Sequence, residues 1–313
     1  MTSFHLVNRR QFLIASAAAA GLYANETTAA AGRDFRFRYL VATSMYGGLS
    51  LDEILPEVQK CGAAHVDIWA SHAEPVTQRQ MIEAMGHAAF SEKLRDASVQ
   101  CGCFTHFKAG PFGLQEEMTV ARKLGIDQTL LVTGSSGPKG LAGAEIKPAV
   151  LKFAEQLRPH VAAAEQSGTV IAIENHGNAL IQSPDSMRWL VEAIESPQLK
   201  IALAPYHLEQ DAEAIGRLVE QLGNRIGLFY AWQYGMGCMQ KLPKEQELLQ
   251  LPGRGSLDFQ PIVAALRRID YQGFVEVFMH PVPRGIPIMP TAREVTAEIN
   301  RSRQYLEQCL SRT

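Results

Sequence analysis

From residue 35 onward, short β-branched and aliphatic runs alternate with longer stretches whose apolar positions recur at helical spacing. The short runs predict strands over Phe35–Ala42, Ala64–Trp69, Val99–His106, Gln128–Thr133, Thr169–Glu174, Leu199–Ala204, Arg225–Ala231 and Phe274–His280. The stretches between and after them predict helices near 51–62, 78–97, 115–124, 145–167, 184–195, 211–223, 257–269 and 291–309. Several helix starts are marked locally. Ser50 precedes Asp52 and Glu53, and Ser183 precedes Pro184, so a capping hydroxyl stands ahead of an acid or a proline in the first turn. Strict strand–helix alternation implies a parallel sheet, and eight such units fit a single closed (β/α)8 barrel over residues 32–313. A doubly wound open sheet is the other arrangement of these units, but no Gly-x-Gly-x-x-Gly turn follows the first strand.

A barrel of this kind carries its chemistry at the C-terminal ends of its strands. Two predicted strands end near glutamate: Glu174 in VIAIENHG and Glu276 in GFVEVFMHP. His176 follows the first by two residues and His280 follows the second by four, and in extended chain such residues share a face. Both pairs are therefore expected to point into one cavity. Two carboxylates with imidazoles suit a divalent metal or paired general acid–base work. The strand-end rule also selects Asp67, Trp69, His72, His106, Lys108, Asn175, His207, Trp232 and Gln233. Five of the nine histidines (His72, His106, His176, His207 and His280) fall at these positions, more than scatter would place there. The glycine-rich loop Thr133–Gly140 and the long loop Gln233–Gly255 have the character of lids or binding segments.

Composition narrows the class of partner. The chain is 46% hydrophobic and 20% charged with a net charge of -2, ordinary for a soluble globular protein. No polybasic run is present to grip phosphates, so nucleic acid is not the expected partner. The N-terminus reads differently from the rest. Arg9-Arg10, then Phe12-Leu13, an alanine-rich apolar run and Ala29–Ala31 have the order of a twin-arginine export signal over residues 1–31. Its apolar stretch is too short to span a bilayer core of about 30 Å stably, so the expected destination is the periplasm rather than a membrane anchor. The five cysteines are an odd number, and Cys101 and Cys103 stand two apart on one strand, a poor spacing for a disulfide. They read as core residues.

The segment PGRGSLDFQPIVAALRRIDYQGFVEVF (Pro252–Phe278) resembles the xylose isomerase-like TIM barrel superfamily, which includes sugar 3-epimerases, inosose dehydratases and endonuclease IV. In that superfamily Pro-Gly-x-Gly-x-hydrophobic-Asp-Phe leads into a helix, and Tyr-x-Gly then opens the last strand, which ends in a metal-binding glutamate. The signal, together with IALAPYH, LFYAWQ and EVFMHPVPRGIPIMP, is similar to exported members of the group. Resemblance to the tagatose-type 3-epimerases implies four ligands: a glutamate on strand five, an aspartate on six, a histidine on seven and a glutamate on eight. Glu174 and Glu276 match the first and last. Strand six carries Ala204-Pro205-Tyr206-His207 where those epimerases have Asp-x-x-His, and the strand-seven histidine falls on Tyr230 with Gln233 downstream. His176, His207, His280 or Gln233 would then supply the replacement ligands. Such a mixed nitrogen–oxygen set suits Mn2+, Zn2+, Co2+ or Fe2+ better than Mg2+. The other outcome is a cavity that has lost its metal and kept its sugar-shaped site.

The resemblance implies a sugar or keto-sugar isomerase/epimerase acting on a small carbohydrate, with Glu174 and Glu276 moving a proton beside a carbonyl. Asp67, Trp69, His106, Lys108, His176 and Trp232 are the expected substrate contacts, with Phe112 as a further apolar wall and Lys108 as electrophile or anion binder. A lyase, dehydratase or hydrolase of (keto-)glycosides and a non-catalytic carbohydrate-binding barrel are the alternatives. His72 and His106 correspond to extra zinc ligands of endonuclease IV, but the companion Asp and His ligands are lacking, which argues against a nuclease. A homo-oligomer is compatible with all of these.

Overall fold

Eight parallel strands close into a barrel in which each pairs with the next in chain order and the last returns to the first. The computed structural model describes residues 35–70, 77–124 and 128–313. The strands are β1 Arg38–Ala42, β2 His65–Trp69, β3 Gln100–Thr105, β4 Leu130–Gly134, β5 Val170–Glu174, β6 Leu199–Leu203, β7 Ile226–Ala231 and β8 Phe274–Val277. The helices are α1 Leu51–Val58, α2 Gln78–Met85, α3 His87–Asp96, α4 Gln115–Lys123, α5 Ile146–Ser167, α6 Pro184–Ala193, α7 Ala212–Leu222, α8 Lys244–Glu247, α9 Gln260–Arg268 and α10 Ala292–Ser311. The proposed signal, residues 1–31, and His72 lie outside the described residues. Among the described residues no helix is long and apolar enough to cross a membrane.

The strands are buried along nearly their whole length, as expected of a parallel sheet covered by helices outside and packed inside. Serine and threonine caps start the helices where the sequence places them. Ser50 and Ser183 form capping boxes at α1 and α6, and Thr291 does so at α10. All five cysteines are buried and free. Two differences from the predicted elements matter. The single helix expected over 78–97 is two, because Gly86 adopts φ +85° and ψ 151° and breaks the ladder between α2 and α3. The strand expected over Phe274–His280 stops at Val277, so the chain has left extended geometry before His280.

After β8 the chain runs back across the barrel mouth toward the end of β1. Ile288 N–H donates to Met45 O at 3.0 Å, and Gly47 sits against the same segment. Gly47 has φ +59°, and a methyl group there would lie 2.3 Å from the backbone at Ile286 and Pro287. Gly47→Ala is expected to cost about 3 kcal/mol or more, because left-handed strain adds to a clash with backbone. Gly140 also has positive φ (+73°) but nothing within 4 Å of the added carbon, so Gly140→Ala should cost only about 1 kcal/mol. Urea denaturation of the two variants measures the difference; equal losses would contradict the close packing of this crossing.

Candidate active site

The ends of β5 and β6 are fastened together by Asn175, the residue directly after Glu174. Its Oδ1 accepts from Ala204 N–H at 2.7 Å and its Nδ2 donates to Ala204 O at 3.1 Å. A short 3-10 turn, Pro205–His207, then carries His207 back over β5. His207 Nε2 lies 3.4 Å from Glu174 Oε1. The His176 and His207 rings stack obliquely, with centroids 4.1 Å apart. His176 Nδ1 is 2.8 Å from Gly177 O. A carbonyl only accepts, so Nδ1 carries a proton and Nε2 is the ring nitrogen left to face a ligand. One ligand atom from each of Glu174, His176 and His207 falls within 4.8 Å of the others.

These three residues fit a divalent cation. His207 Nε2 is buried and has no hydrogen-bond partner. Burial, with a smaller push from Arg284, lowers the His207 pKa to about 4, so the ring is neutral and its lone pair is available. Burial raises Glu174 to about 7, against smaller opposing effects of His176 and Arg284. A neutral donor without a partner beside a desolvated carboxylate is what a bound cation would resolve. Two imidazoles and one carboxylate favour Zn2+, Mn2+, Co2+ or Fe2+ over Mg2+.

The cluster opens into a cavity of about 450 Å³ at the C-terminal mouth of the barrel. One wall is aromatic. Tyr206 stacks on Trp232 (3.9 Å between centroids, 12° between planes) and Trp69 on Phe278 (5.1 Å, 15°). His280 sits edge-on to Trp69, Trp232 and Phe278 at 5.6, 5.5 and 4.7 Å. Trp232 is held from behind by Nε1–H donating to Gln250 Oε1 at 3.0 Å. Phe107 and Gln78 also line the space.

Several predicted site residues lie elsewhere, for identifiable reasons. Gln233 is not free to ligate. Its Nε2 donates to Leu251 O and its Oε1 accepts from Leu257 N–H, both at 2.8 Å, so it splints the loop after β7. His106 turns outward to Glu117 (2.9 Å), which Arg79 grips through Nε at 3.0 and 2.9 Å. Lys108 is exposed, and neither it nor His106 lines the cavity. Phe112 packs on Phe153 and His160, away from the mouth. His280 lines the cavity but stands outside the donor cluster.

Glu276 and Asp67 are fully buried and do not line the cavity. Neither Glu276 oxygen has a hydrogen-bond partner; Asp67 Oδ2 accepts from Thr105 Oγ1 at 2.6 Å while Oδ1 has none. Tyr230 pairs with Glu276 across β7 and β8, and its hydroxyl is also buried and unpartnered. Desolvation, then the charges of Asp67 and Glu174, pushes Glu276 well above the usual carboxylate range. Burial raises Asp67 to about 6. The expected pairing of Glu276 with His280 thus fails, because β8 ends between them. The strand-end reading also missed Tyr206, Phe107, Phe278 and Arg284, which line the cavity. Tyr206 and Phe107 directly neighbour selected histidines, so aromatic flanks were the available signal; Arg284 lies too far beyond β8 for that rule.

The chain matches the profile of the xylose isomerase-like TIM barrel over residues 55–305. No curated protein sequence matches it. Among solved structures, the fold is similar to that of an L-ribulose 3-epimerase, with a TM-score of 0.66 and 14% identity, covering 88% of this chain and 95% of that one. It is similar to the IolI protein with a binding zinc atom (TM-score 0.65, 15% identity, 88% and 99% of the two chains). It is also similar to a probable 3-DHS dehydratase from Bacillus anthracis (TM-score 0.63, 13% identity, 84% and 97%). At these identities the structural likeness speaks for the fold. The profile match runs from α1 into α10 around a closed eight-stranded parallel barrel, and this chain belongs to the xylose isomerase-like TIM barrel family.

Proposed function

We propose that the protein is a sugar or keto-sugar isomerase/epimerase that moves a proton beside a carbonyl with the help of a divalent cation. The observation that carries this reading is the Glu174–His176–His207 cluster facing an aromatic-walled cavity. Those three residues would hold the cation, and a bound cation supplies electrophilic polarisation of the substrate carbonyl. Glu174 is the proposed base. It is the carboxylate that lines the cavity among the described residues, which places it within reach of a substrate proton. Trp69, Phe278, Tyr206 and Trp232 hold apolar sugar faces and exclude water. His280 offers a neutral ring, since burial and then the charge of Arg284 drive its pKa well below the usual value. The similarity to an L-ribulose 3-epimerase and to a zinc-containing relative supports the substrate class and the cation.

A second reading, elimination from a sugar or keto-glycoside, is favoured by one specific feature. Glu174 is the sole carboxylate lining the cavity among the described residues. Epimerisation by two opposed bases requires a second group to return the proton, and Glu276 is fully buried and does not line the cavity. Elimination needs one base to take the proton while a leaving group departs from the next carbon. The similarity to a dehydratase fits this variant of the same chemistry.

Incubation with ketoses and keto-glycosides in D2O, with Mn2+ or Zn2+ present, tests both. The isomerase reading expects one solvent deuterium at the carbon beside the carbonyl in an otherwise intact sugar. The elimination reading expects loss of the leaving group and an unsaturated product. Bond cleavage with neither deuterium nor unsaturation would instead identify a hydrolase, and binding without turnover a carbohydrate-binding barrel.

A further inference from the structure

We infer that the substrate of this cavity carries a carboxylate, recognised by Arg284 on the segment between β8 and α10. This rests on the cavity being the substrate site proposed above. Arg284 is the one lysine or arginine lining the cavity among the described residues, and none of their carboxylates forms an ion pair with it. An arginine at a cavity rim with no acidic partner is a receptor for an incoming anion.

The guanidinium is oriented by one contact from a neighbouring loop. Arg284 Nη2 donates to Cys238 Sγ at 3.3 Å, and Cys238 N–H donates to Tyr206 Oη at 3.0 Å. Tyr206 in turn stacks on Trp232. Three loops, those following β6, β7 and β8, thereby converge on one cation. A thiol sulfur is a weak acceptor, so this contact orients the fork and leaves its remaining N–H groups for a ligand. A fork oriented before binding loses less freedom on capturing its partner.

The charge balance selects a carboxylate over a phosphate. A phosphate ester carries about -1.5 to -2 charges at neutral pH and has three strong acceptor oxygens. Here it would meet one guanidinium and no second lysine or arginine among the described lining residues, the proposed cation being held by Glu174, His176 and His207. A single carboxylate matches a single guanidinium in charge and in its two-pronged geometry. Arg284 lines the same cavity as Glu174, His207 and His280, so the anion it holds shares one space with the reacting end. The substrate class is therefore a sugar acid, with its carboxylate at Arg284 and its reacting carbon at Glu174.

Calorimetric titration of metal-free protein with D-glucuronate, D-galacturonate and D-gluconate, against glucose, galactose and glucose 6-phosphate, tests this. Removing the metal matters because carboxylates also ligate cations. Wild-type protein should bind at least one sugar acid about tenfold or more tighter than its neutral counterpart, the size expected of a charged hydrogen-bonded pair. Arg284→Gln should erase that preference at unchanged thermal stability, and Arg284→Lys should restore part of it. Equal binding of acids and neutral sugars, no binding of any acid, or a preference that survives in Arg284→Gln would overturn the inference. Tighter binding of glucose 6-phosphate than of every sugar acid would overturn the choice of carboxylate. Because binding is read without turnover, an Arg284-dependent acid preference with no deuterium uptake sinks only the isomerase reading. Deuterium uptake by neutral ketoses without that preference sinks only this inference.

Discussion

Glu174→Gln should leave the barrel folded, release the divalent cation and reduce proton exchange by about a thousandfold or more. Loss of a positioned general base alone is worth about 10²–10⁴ in rate, and the same substitution removes the only charged donor of the cluster. The amide keeps the shape of the carboxyl, so packing around the buried side chain is preserved. Metal content by elemental analysis and deuterium uptake in D2O should fall together. Full metal occupancy with exchange within tenfold of wild type would remove Glu174 from both roles. Retained metal with lost exchange would leave it as base and assign the cation to other donors.

The second large effect concerns stability without metal. In the folded protein Glu174 holds its proton up to about pH 7, against an ordinary value of 4.5. Below pH 4.5 both folded and unfolded states are protonated and the group contributes nothing to the pH dependence. Between 4.5 and 7 the folded state binds more protons than the unfolded one, so stability falls as pH rises. Above 7 both states are ionised and the loss is complete. A shift of this size corresponds to about 3 kcal/mol. Asp67, raised to about 6, and Glu276, also raised, act in the same direction. The unfolding free energy of wild type minus that of Glu174→Gln isolates the Glu174 part. Measured without metal, this difference should decline by about 3 kcal/mol from pH 4.5 to 8, leaving the variant the more stable form at the alkaline end. Added Zn2+ should reverse the order, because an ion bound only by the folded wild type stabilises it by mass action. A difference that stays flat with pH would show that Glu174 is not desolvated as described.

Much of this architecture is legible in the sequence because βα alternation is a local signal repeated eight times. Glu174, His176 and His207 are legible for the same reason: each sits at or just past a strand end, and the barrel brings adjacent strand ends together. The remainder depends on where a strand stops and on what loops require. Glu276 and His280 share a face only if β8 stays extended, and it ends at Val277. Gln233 has the chemistry of a ligand, but the loop containing Leu251 and Leu257 needs its amide to satisfy backbone groups. His106 is captured by Glu117 on α4, a contact invisible in strand periodicity. Arg284 belongs to a segment that crosses the mouth, and its place follows from tertiary contacts at Cys238 and Met45. At Ala204 the backbone is clamped by Asn175, and His207, three residues on, lies beside Glu174.

The proposed chemistry depends on a divalent cation held between Glu174, His176 and His207. Crystals of the protein soaked in Mn2+ or Zn2+, measured at the absorption edge of the metal, locate that ion directly by anomalous scattering. One strong peak is expected about 2.0–2.3 Å from a Glu174 carboxylate oxygen and from Nε2 of both His176 and His207. A peak instead among Asp67, Tyr230 and Glu276 inside the barrel, or no peak at the mouth, would contradict it.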